Sequence, residues 1–80
     1  MAIINGTSGD DIRFGTGVAD TFRLFSGDDR GYGRGGDDLM FGYGGRDVLH
    51  GDGGDDTLHG NRGDDSLFGS FGRDELYGGA

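Results

Sequence analysis

Single large apolar residues recur along this chain at a fixed interval, between stretches rich in glycine and aspartate. Residues 42–77 read as four segments of nine, GYGGRDVLH, GDGGDDTLH, GNRGDDSLF and GSFGRDELY, each with leucine in eighth place. One apolar residue between two flanking residues, as in VLH and TLH, predicts a short strand whose middle side chain faces inward. Glycine every few residues excludes a helix. The pattern therefore predicts an all-β chain of three-residue strands joined by glycine-rich turns.

The same register extends towards the N-terminus. Counting back in nines from Gly42 gives repeats that start at residues 33, 24, 15 and 6, so eight repeats cover 6–77. Positions 1 and 4 of the repeat are glycine with one exception each, Leu24 and Val18. Position 6 is aspartate in every repeat: Asp11, Asp20, Asp29, Asp38, Asp47, Asp56, Asp65 and Asp74. A period kept without a gap predicts a stacked repeat architecture rather than a disordered acidic linker.

Position 8 supplies the predicted core, with odd and even repeats stacking in separate sheets. The even column is Phe22, Met40, Leu58 and Leu76, the odd column is Arg13, Gly31, Leu49 and Leu67, and Ile4 lies in a starter strand before both. Arg13 is costly in a thin core and Gly31 fills no space there. We expect a one-residue slip or bulge near residue 12 to turn Ile12 or Phe14 inward instead. The N-terminal coil is thus predicted to be less regular and to act as a cap.

The outward residues at position 9 are mostly aromatic. They form two predicted ladders, Phe14, Tyr32, His50 and Phe68 on one sheet, and Arg23, Phe41, His59 and Tyr77 on the other. At a strand spacing of about 4.8 Å these rings would pair across strands and stiffen each sheet. An exposed patch for a partner is the alternative. Glycines at positions 1 and 4 predict positive φ in the turns.

Composition shows that the predicted core is too small to stabilise the chain unaided. Of 80 residues, 31% are apolar, 21 are glycine, and none is cysteine or proline. Chains of this length seldom fold on a core alone, and without cysteine neither a disulfide nor a thiolate metal site can form. Something outside the chain must contribute to the fold.

The charge indicates that this contribution comes from cations. Fifteen acids against seven arginines give a net charge of −8, which disfavours nucleic acid and anionic membranes as partners. No apolar run approaches the roughly 18 residues of a membrane span. The start MAIING lacks the basic and long apolar regions of a Sec signal peptide. No Ser, His and acid set suggests catalysis, so an enzyme is not expected.

The aspartates at position 6 are the candidate metal ligands. Turns two repeats apart would stack, which pairs Asp11 with Asp29, Asp29 with Asp47, Asp47 with Asp65, Asp20 with Asp38, Asp38 with Asp56, and Asp56 with Asp74. Calcium takes six to eight oxygen ligands, whereas magnesium demands a tighter octahedron and zinc favours His or Cys. His50 and His59 would fall on opposite sheets. The variable residues of position 5, such as Asp28, Arg46 and Ala19, are expected to face solvent.

The pattern G-G-x-G-x-D-x-U-x resembles the RTX (repeats-in-toxin) calcium-binding nonapeptide repeat. The resemblance covers 6–77, tightly over 33–77 and loosely over 6–32. It implies a single domain over 1–80, with a starter strand at 1–5 and a tail at 78–80. The implied fold is a parallel β-roll, a right-handed β-solenoid of about four coils with two repeats in each. It also implies up to six calcium ions, held by the eight aspartates and by turn carbonyls, for which we select Gly44, Gly51, Gly53, Gly60 and Gly69.

The resemblance further implies a structural calcium-binding module that folds outside the cell after bacterial type I export of a parent protein. One alternative is a calcium-scaffolded interaction or self-assembly module. It would form homo-oligomers through the aromatic ladders or through the uncapped C-terminal edge around Leu67, Phe71 and Leu76. Another alternative is a non-catalytic fragment of a secreted RTX enzyme or toxin.

Overall fold

A computed structural model describes residues 2–79, apart from the side chain of Ala2, so Met1 and Ala80 of the predicted starter strand and tail lie outside it. Residues 2–79 form nine strands: β1 (Ala2–Asn5), β2 (Ile12–Phe14), β3 (Asp20–Arg23), β4 (Arg30–Tyr32), β5 (Leu39–Phe41), β6 (Val48–His50), β7 (Thr57–His59), β8 (Ser66–Phe68) and β9 (Glu75–Tyr77). They form two parallel sheets, ordered β1-β3-β5-β7-β9 and β2-β4-β6-β8. Residues 2–79 contain no helix that could span a bilayer. The predicted all-β parallel solenoid of about four turns is confirmed.

Strand register follows the nine-residue period without a slip. Each strand pairs with the strand two repeats later, so that Phe22 lies beside Met40 and Leu49 beside Leu67. Phe22, Met40, Leu49 and Leu58 are fully buried, which confirms position 8 as the core. The column thins towards the C-terminal end, where Leu67 is half-buried and Leu76 is 46% exposed.

Leu24 and Gly31, the two exceptions within one repeat, compensate for each other. Leu24 stands at position 1, yet it is fully buried in the core cluster. A Cβ added at Gly31 would lie 3.4 Å from Leu24 Cδ1 and 3.5 Å from Leu49 Cδ2. The leucine therefore occupies the space that the missing side chain at position 8 leaves, which keeps the core continuous.

Moving this leucine from one position to the other tests the compensation. Leu24→Gly is expected to lower the free energy of unfolding by at least about 2–3 kcal/mol, because it opens a cavity in the core. The double variant Leu24→Gly, Gly31→Leu has the pattern of the other repeats and should recover most of this loss. Denaturant titration under conditions where the wild-type chain is folded compares the two. A double variant no more stable than the single one would contradict the compensation.

The predicted slip near residue 12 is wrong. Ile12 and Phe14 remain outward and are 54% and 53% exposed, while Arg13 keeps the inward register opposite Gly31. The guanidinium of Arg13 lies at the open end of the roll, where it donates to the carbonyl of Asn5 at 3.2 Å and pairs with the carboxylate of Asp11 at 3.3 Å. These partners remove the desolvation cost that made a slip attractive. Arg13 thereby caps the N-terminal end of the core.

The position-9 ladders form as predicted, as stacks of rings. Ring centroids are 5.1 Å apart between Phe14 and Tyr32, and 4.8 Å apart between Tyr32 and His50. On the other sheet Phe41 and His59 stack at 5.0 Å. Because the ring faces contact one another, the ladders stabilise pairing between the strands.

Candidate metal centre

From the third repeat onward each turn has two residues of positive φ, but not both at the predicted positions. From the third repeat onward position 4 is a glycine with positive φ, as in Gly45 and Gly54, which confirms that prediction. Position 2 is the other site, and it carries non-glycine residues such as Tyr43 (φ 64°) and Asp52 (φ 65°). The expectation of positive φ at the position-1 glycines is wrong.

In the regular repeats, glycine at position 1 is needed for space rather than for backbone conformation. A Cβ added at Gly42 or Gly51 would lie 2.5 Å from Oδ2 of the aspartate at position 6 of the same turn. At Gly60 and Gly69 the corresponding distance is 2.6 Å. The carboxylate thus lies directly against the glycine backbone, inside the turn.

The aspartates at position 6 form a ladder along each side of the roll. In each case Oδ1 accepts the backbone N–H of the aspartate 18 residues earlier, at 2.7–3.0 Å. The six pairs are Asp11–Asp29, Asp20–Asp38, Asp29–Asp47, Asp38–Asp56, Asp47–Asp65 and Asp56–Asp74. The structure therefore brings together every pair that the register predicted.

The second carboxylate oxygen distinguishes the later turns. Among the described residues, Oδ2 is buried and has no hydrogen-bond partner in Asp29, Asp38, Asp47, Asp56 and Asp65. Burying an ionised oxygen without a partner is unfavourable. Beside Asp38, a carbonyl oxygen faces the same small space as Oδ2. A Cβ at Gly33 would contact Asp38 Oδ2 and would lie 2.9 Å from the carbonyl oxygen of Gly51 in the next turn. Carboxylate and carbonyl oxygens converging in this way fit the preferences of calcium.

Burial also shifts the titration of this ladder. It raises the pKa of Asp38 and of Asp47 to about 7, and that of Asp56 to about 6, against the opposing effect of the backbone hydrogen bonds. Neighbouring aspartates raise these pKa values further. The ionised form of the ladder is therefore disfavoured unless a cation binds to it.

This shift predicts that acid promotes folding without metal. The folded-state pKa values lie above the unfolded value of 3.8. The resulting penalty is hence full above about pH 7, and it is relieved as the pH falls towards 3.8. Circular dichroism of the metal-free chain should show β-structure increasing from about pH 8 to about pH 4. The variant Asp38→Asn, Asp47→Asn, Asp56→Asn should lose most of this dependence. A β-signal that decreases on acidification would contradict the shift.

In the first two turns the aspartate at position 6 has different hydrogen-bond partners. They come from residues that were not predicted to be part of the site. Thr7 and Thr16, at position 2, donate their backbone N–H to Oδ2 of Asp11 and Asp20 at 2.6 Å and 2.7 Å. This hydrogen bond is the main reason why the pKa of Asp11 is lowered. The signal was present in the sequence, because threonine stands at position 2 in these two repeats alone.

The aspartates at position 5 face solvent, as predicted, and they also form hydrogen bonds between coils that the sequence did not indicate. All five are exposed, and in four of them Oδ1 accepts the backbone N–H of the residue 18 positions later, at 2.8–2.9 Å. The four acceptors are Asp10, Asp28, Asp37 and Asp55. The aspartates at position 6 accept hydrogen bonds from the preceding coil, and those at position 5 accept them from the following coil. The two rows therefore link stacked coils in opposite directions.

The five glycines predicted to be carbonyl ligands lie in two different environments. Gly51, Gly60 and Gly69 lie at position 1 against the carboxylates, whereas Gly44 and Gly53 lie at position 3, where a Cβ would have ample space. Over residues 2–79 no three His, Cys, Asp or Glu side chains are grouped to hold a metal ion. Any ion in the turns therefore needs backbone carbonyls as well as carboxylates.

Comparison with known proteins gives one family. The sequence model of the RTX calcium-binding nonapeptide repeat, which contains four copies, matches residues 23–58 and 50–80. Neither the curated proteins nor the solved structures give a match. The matched region begins where the turns acquire positive φ at positions 2 and 4, beginning with Phe25 and Gly27.

Proposed function

Because the chain belongs to the RTX calcium-binding nonapeptide repeat family, we propose that it folds into its β-roll when calcium binds between its turns. The observation that carries the proposal is the row of five buried Oδ2 atoms without hydrogen-bond partners among the described residues. A divalent cation supplies what these oxygens lack. The family is a structural calcium-binding module rather than a catalytic one, so the proposed role is architectural.

The proposed ligands follow from the turn geometry. Carboxylates at position 6 would supply Oδ2, and turn carbonyls would complete the six to eight oxygens that calcium takes. We propose the position-1 carbonyls of Gly51, Gly60 and Gly69 among them, because that of Gly51 faces the same space as Asp38 Oδ2. Gly44 and Gly53, at position 3, are the other proposed carbonyl ligands.

Calcium would be needed because, without a bound cation, repulsion between carboxylates destabilises the fold. In the part of the chain that the structure describes, only five apolar side chains are fully buried. Carboxylates stack along each side of this core, and the net charge is −8. Stacked ionised carboxylates repel one another, and a core of this size contributes little. Binding free energy then becomes folding free energy. RTX repeats typically occur in secreted bacterial proteins, and extracellular modules bind calcium at about 10⁻⁴–10⁻³ M. Secretion of an unfolded chain and folding outside the cell are therefore part of the proposal.

Calcium titration followed by circular dichroism tests the function. At about pH 7.5, above the raised pKa values, the chain should be disordered in chelator. It should become β-rich with a midpoint near 10⁻⁴–10⁻³ M calcium. Magnesium at the same concentrations is the control and should not replace calcium, because it requires a tighter octahedral site. A chain that is fully β-rich in chelator, or still disordered at about 10 mM calcium, which is above this affinity range, would refute the proposal.

A further inference from the structure

The first turn on each side of the roll already contains the donors that an ion would have to displace. The hydroxyl of Thr7 donates to Asp11 Oδ2 at 3.1 Å, in addition to the bond from its backbone N–H. Thr16 makes the same pair of bonds to Asp20 Oδ2, at 2.9 Å from the hydroxyl. Among the described residues, the equivalent oxygens of Asp29, Asp38, Asp47, Asp56 and Asp65 have no such donors.

The backbone of these two turns explains the difference. In the six later turns position 2 has φ of 61–67°, whereas Thr7 and Thr16 are not among the residues of positive φ. Threonine is β-branched and adopts positive φ only at a high cost. Its hydroxyl also accepts the N–H of position 4, at 3.1 Å from Gly9 and 3.3 Å from Val18. Each threonine therefore stabilises a turn in which the position-2 N–H reaches the carboxylate.

Carbonyl oxygens also face these first gaps, as the carbonyl of Gly51 does beside Asp38. A Cβ at Gly15 would lie 2.6 Å from the carbonyl oxygen of Gly33 and 3.0 Å from Asp20 Oδ2. A Cβ at Gly6 would lie 2.7 Å from Asp11 Oδ2 and 2.9 Å from the carbonyl oxygen of Leu24. The difference is thus the threonine donors and not a lack of acceptors. At Asp11 the guanidinium of Arg13 adds a positive charge, 3.3 Å from Oδ1.

We propose that Thr7 and Thr16 close the first gap on each side of the roll to calcium, so that the chain binds four ions and not six. This inference rests on the proposed function. The four open gaps are Asp29–Asp47, Asp38–Asp56, Asp47–Asp65 and Asp56–Asp74. Four divalent ions would also balance the net charge of −8, whereas six would leave the folded chain positively charged.

Counting bound calcium by equilibrium dialysis and native mass spectrometry tests the closure. The wild-type chain should bind four ions. The double variant Thr7→Asn, Thr16→Asn should bind six ions, because asparagine adopts positive φ more readily than threonine. Asn61 does so at the same position of its repeat, with φ 66°. Each single variant should bind five. Thr21→Asn, in strand β3, is the matched control and should keep four.

A second pair of variants tests the proposal even if the threonine variants do not fold. Asp11→Asn should keep all four ions, since its carboxylate is already occupied, while Asp29→Asn should lose at least one. A wild-type count of six, a folded double variant that still binds four, or loss of an ion in Asp11→Asn would overturn the closure. A chain that binds no calcium would instead refute the proposed function, so the two failures are distinguishable.

Discussion

Replacing Gly54 by alanine is expected to prevent formation of the β-roll, whereas the same change at the adjacent Gly53 should leave the chain folded. Gly54 has φ +89°, and a Cβ there would lie 2.7 Å from the carbonyl carbon of Gly36 in the preceding coil. At Gly53 the nearest atom would be the carbonyl oxygen of Arg34, at 3.9 Å. The two glycines differ in backbone conformation and in the approach of the neighbouring coil, although their sequence surroundings are the same.

The expected loss at Gly54 exceeds that of ordinary substitutions. Positive φ costs a residue with a side chain roughly 1–2 kcal/mol. Relief of the backbone contact requires the coils to separate, which weakens bonds such as Asp55 N–H to Asp37 Oδ1, at 2.8 Å. Together these effects should lower the free energy of unfolding by at least about 4 kcal/mol. A chain of this size is not expected to remain folded after such a loss.

Circular dichroism in saturating calcium measures this loss. Gly54→Ala should remain disordered, while Gly53→Ala should fold with a calcium midpoint within about twofold of the wild type. Folding of both variants with equal midpoints would show that close stacking at position 4 is not required.

Replacing Asp56 by asparagine should weaken calcium-dependent folding about a hundredfold, whereas Asp55→Asn should have little effect. Both carboxylates accept a backbone N–H from a stacked coil, Asp56 from Asp38 at 2.7 Å and Asp55 from Arg73 at 2.8 Å. Asparagine can keep either bond through Oδ1. The difference lies in Oδ2, which is buried without a partner in Asp56 and belongs to an exposed side chain in Asp55.

The asparagine amide would place a donor where we propose a cation. Loss of one charged, buried ligand should cost about 3 kcal/mol, which corresponds to about a hundredfold in affinity. Removal of the exposed charge of Asp55 should cost less than about 0.5 kcal/mol. Calcium midpoints of the two variants, read by circular dichroism and by isothermal titration, give the comparison. Equal midpoints would mean that Oδ2 of Asp56 does not bind calcium.

The sequence predicted the repeating parts of the structure because a nine-residue period leaves little freedom. Counting residues in nines predicts the core at position 8 and the separation of odd and even repeats into two sheets. It also predicts the six aspartate pairs. The ligands of the ions stay a prediction, which the Asp56 and Asp55 variants test.

The sequence was less informative where one residue acts through a different position of the repeat. Leu24 fills the space beside Gly31 from position 1, so treating each column separately concealed the exchange. Arg13 finds partners at the open end of the roll, which a pattern of inward and outward faces does not represent. The positive φ at position 2 was missed because residues with side chains, such as Tyr43 and Asp52, adopt it. Backbone conformation there is set by stacking of the turns, against local propensity.

The fixed spacing of the aspartate bonds has a consequence for folding kinetics. Each bond from position 5 or 6 joins residues 18 apart, so every coil closes a loop of the same modest length. The entropic cost of adding a coil is therefore the same at each step. We expect folding to advance from one coil to its neighbour, as in a one-dimensional chain of coupled units. Unfolding should begin at an exposed end coil and should leave the remaining coils paired.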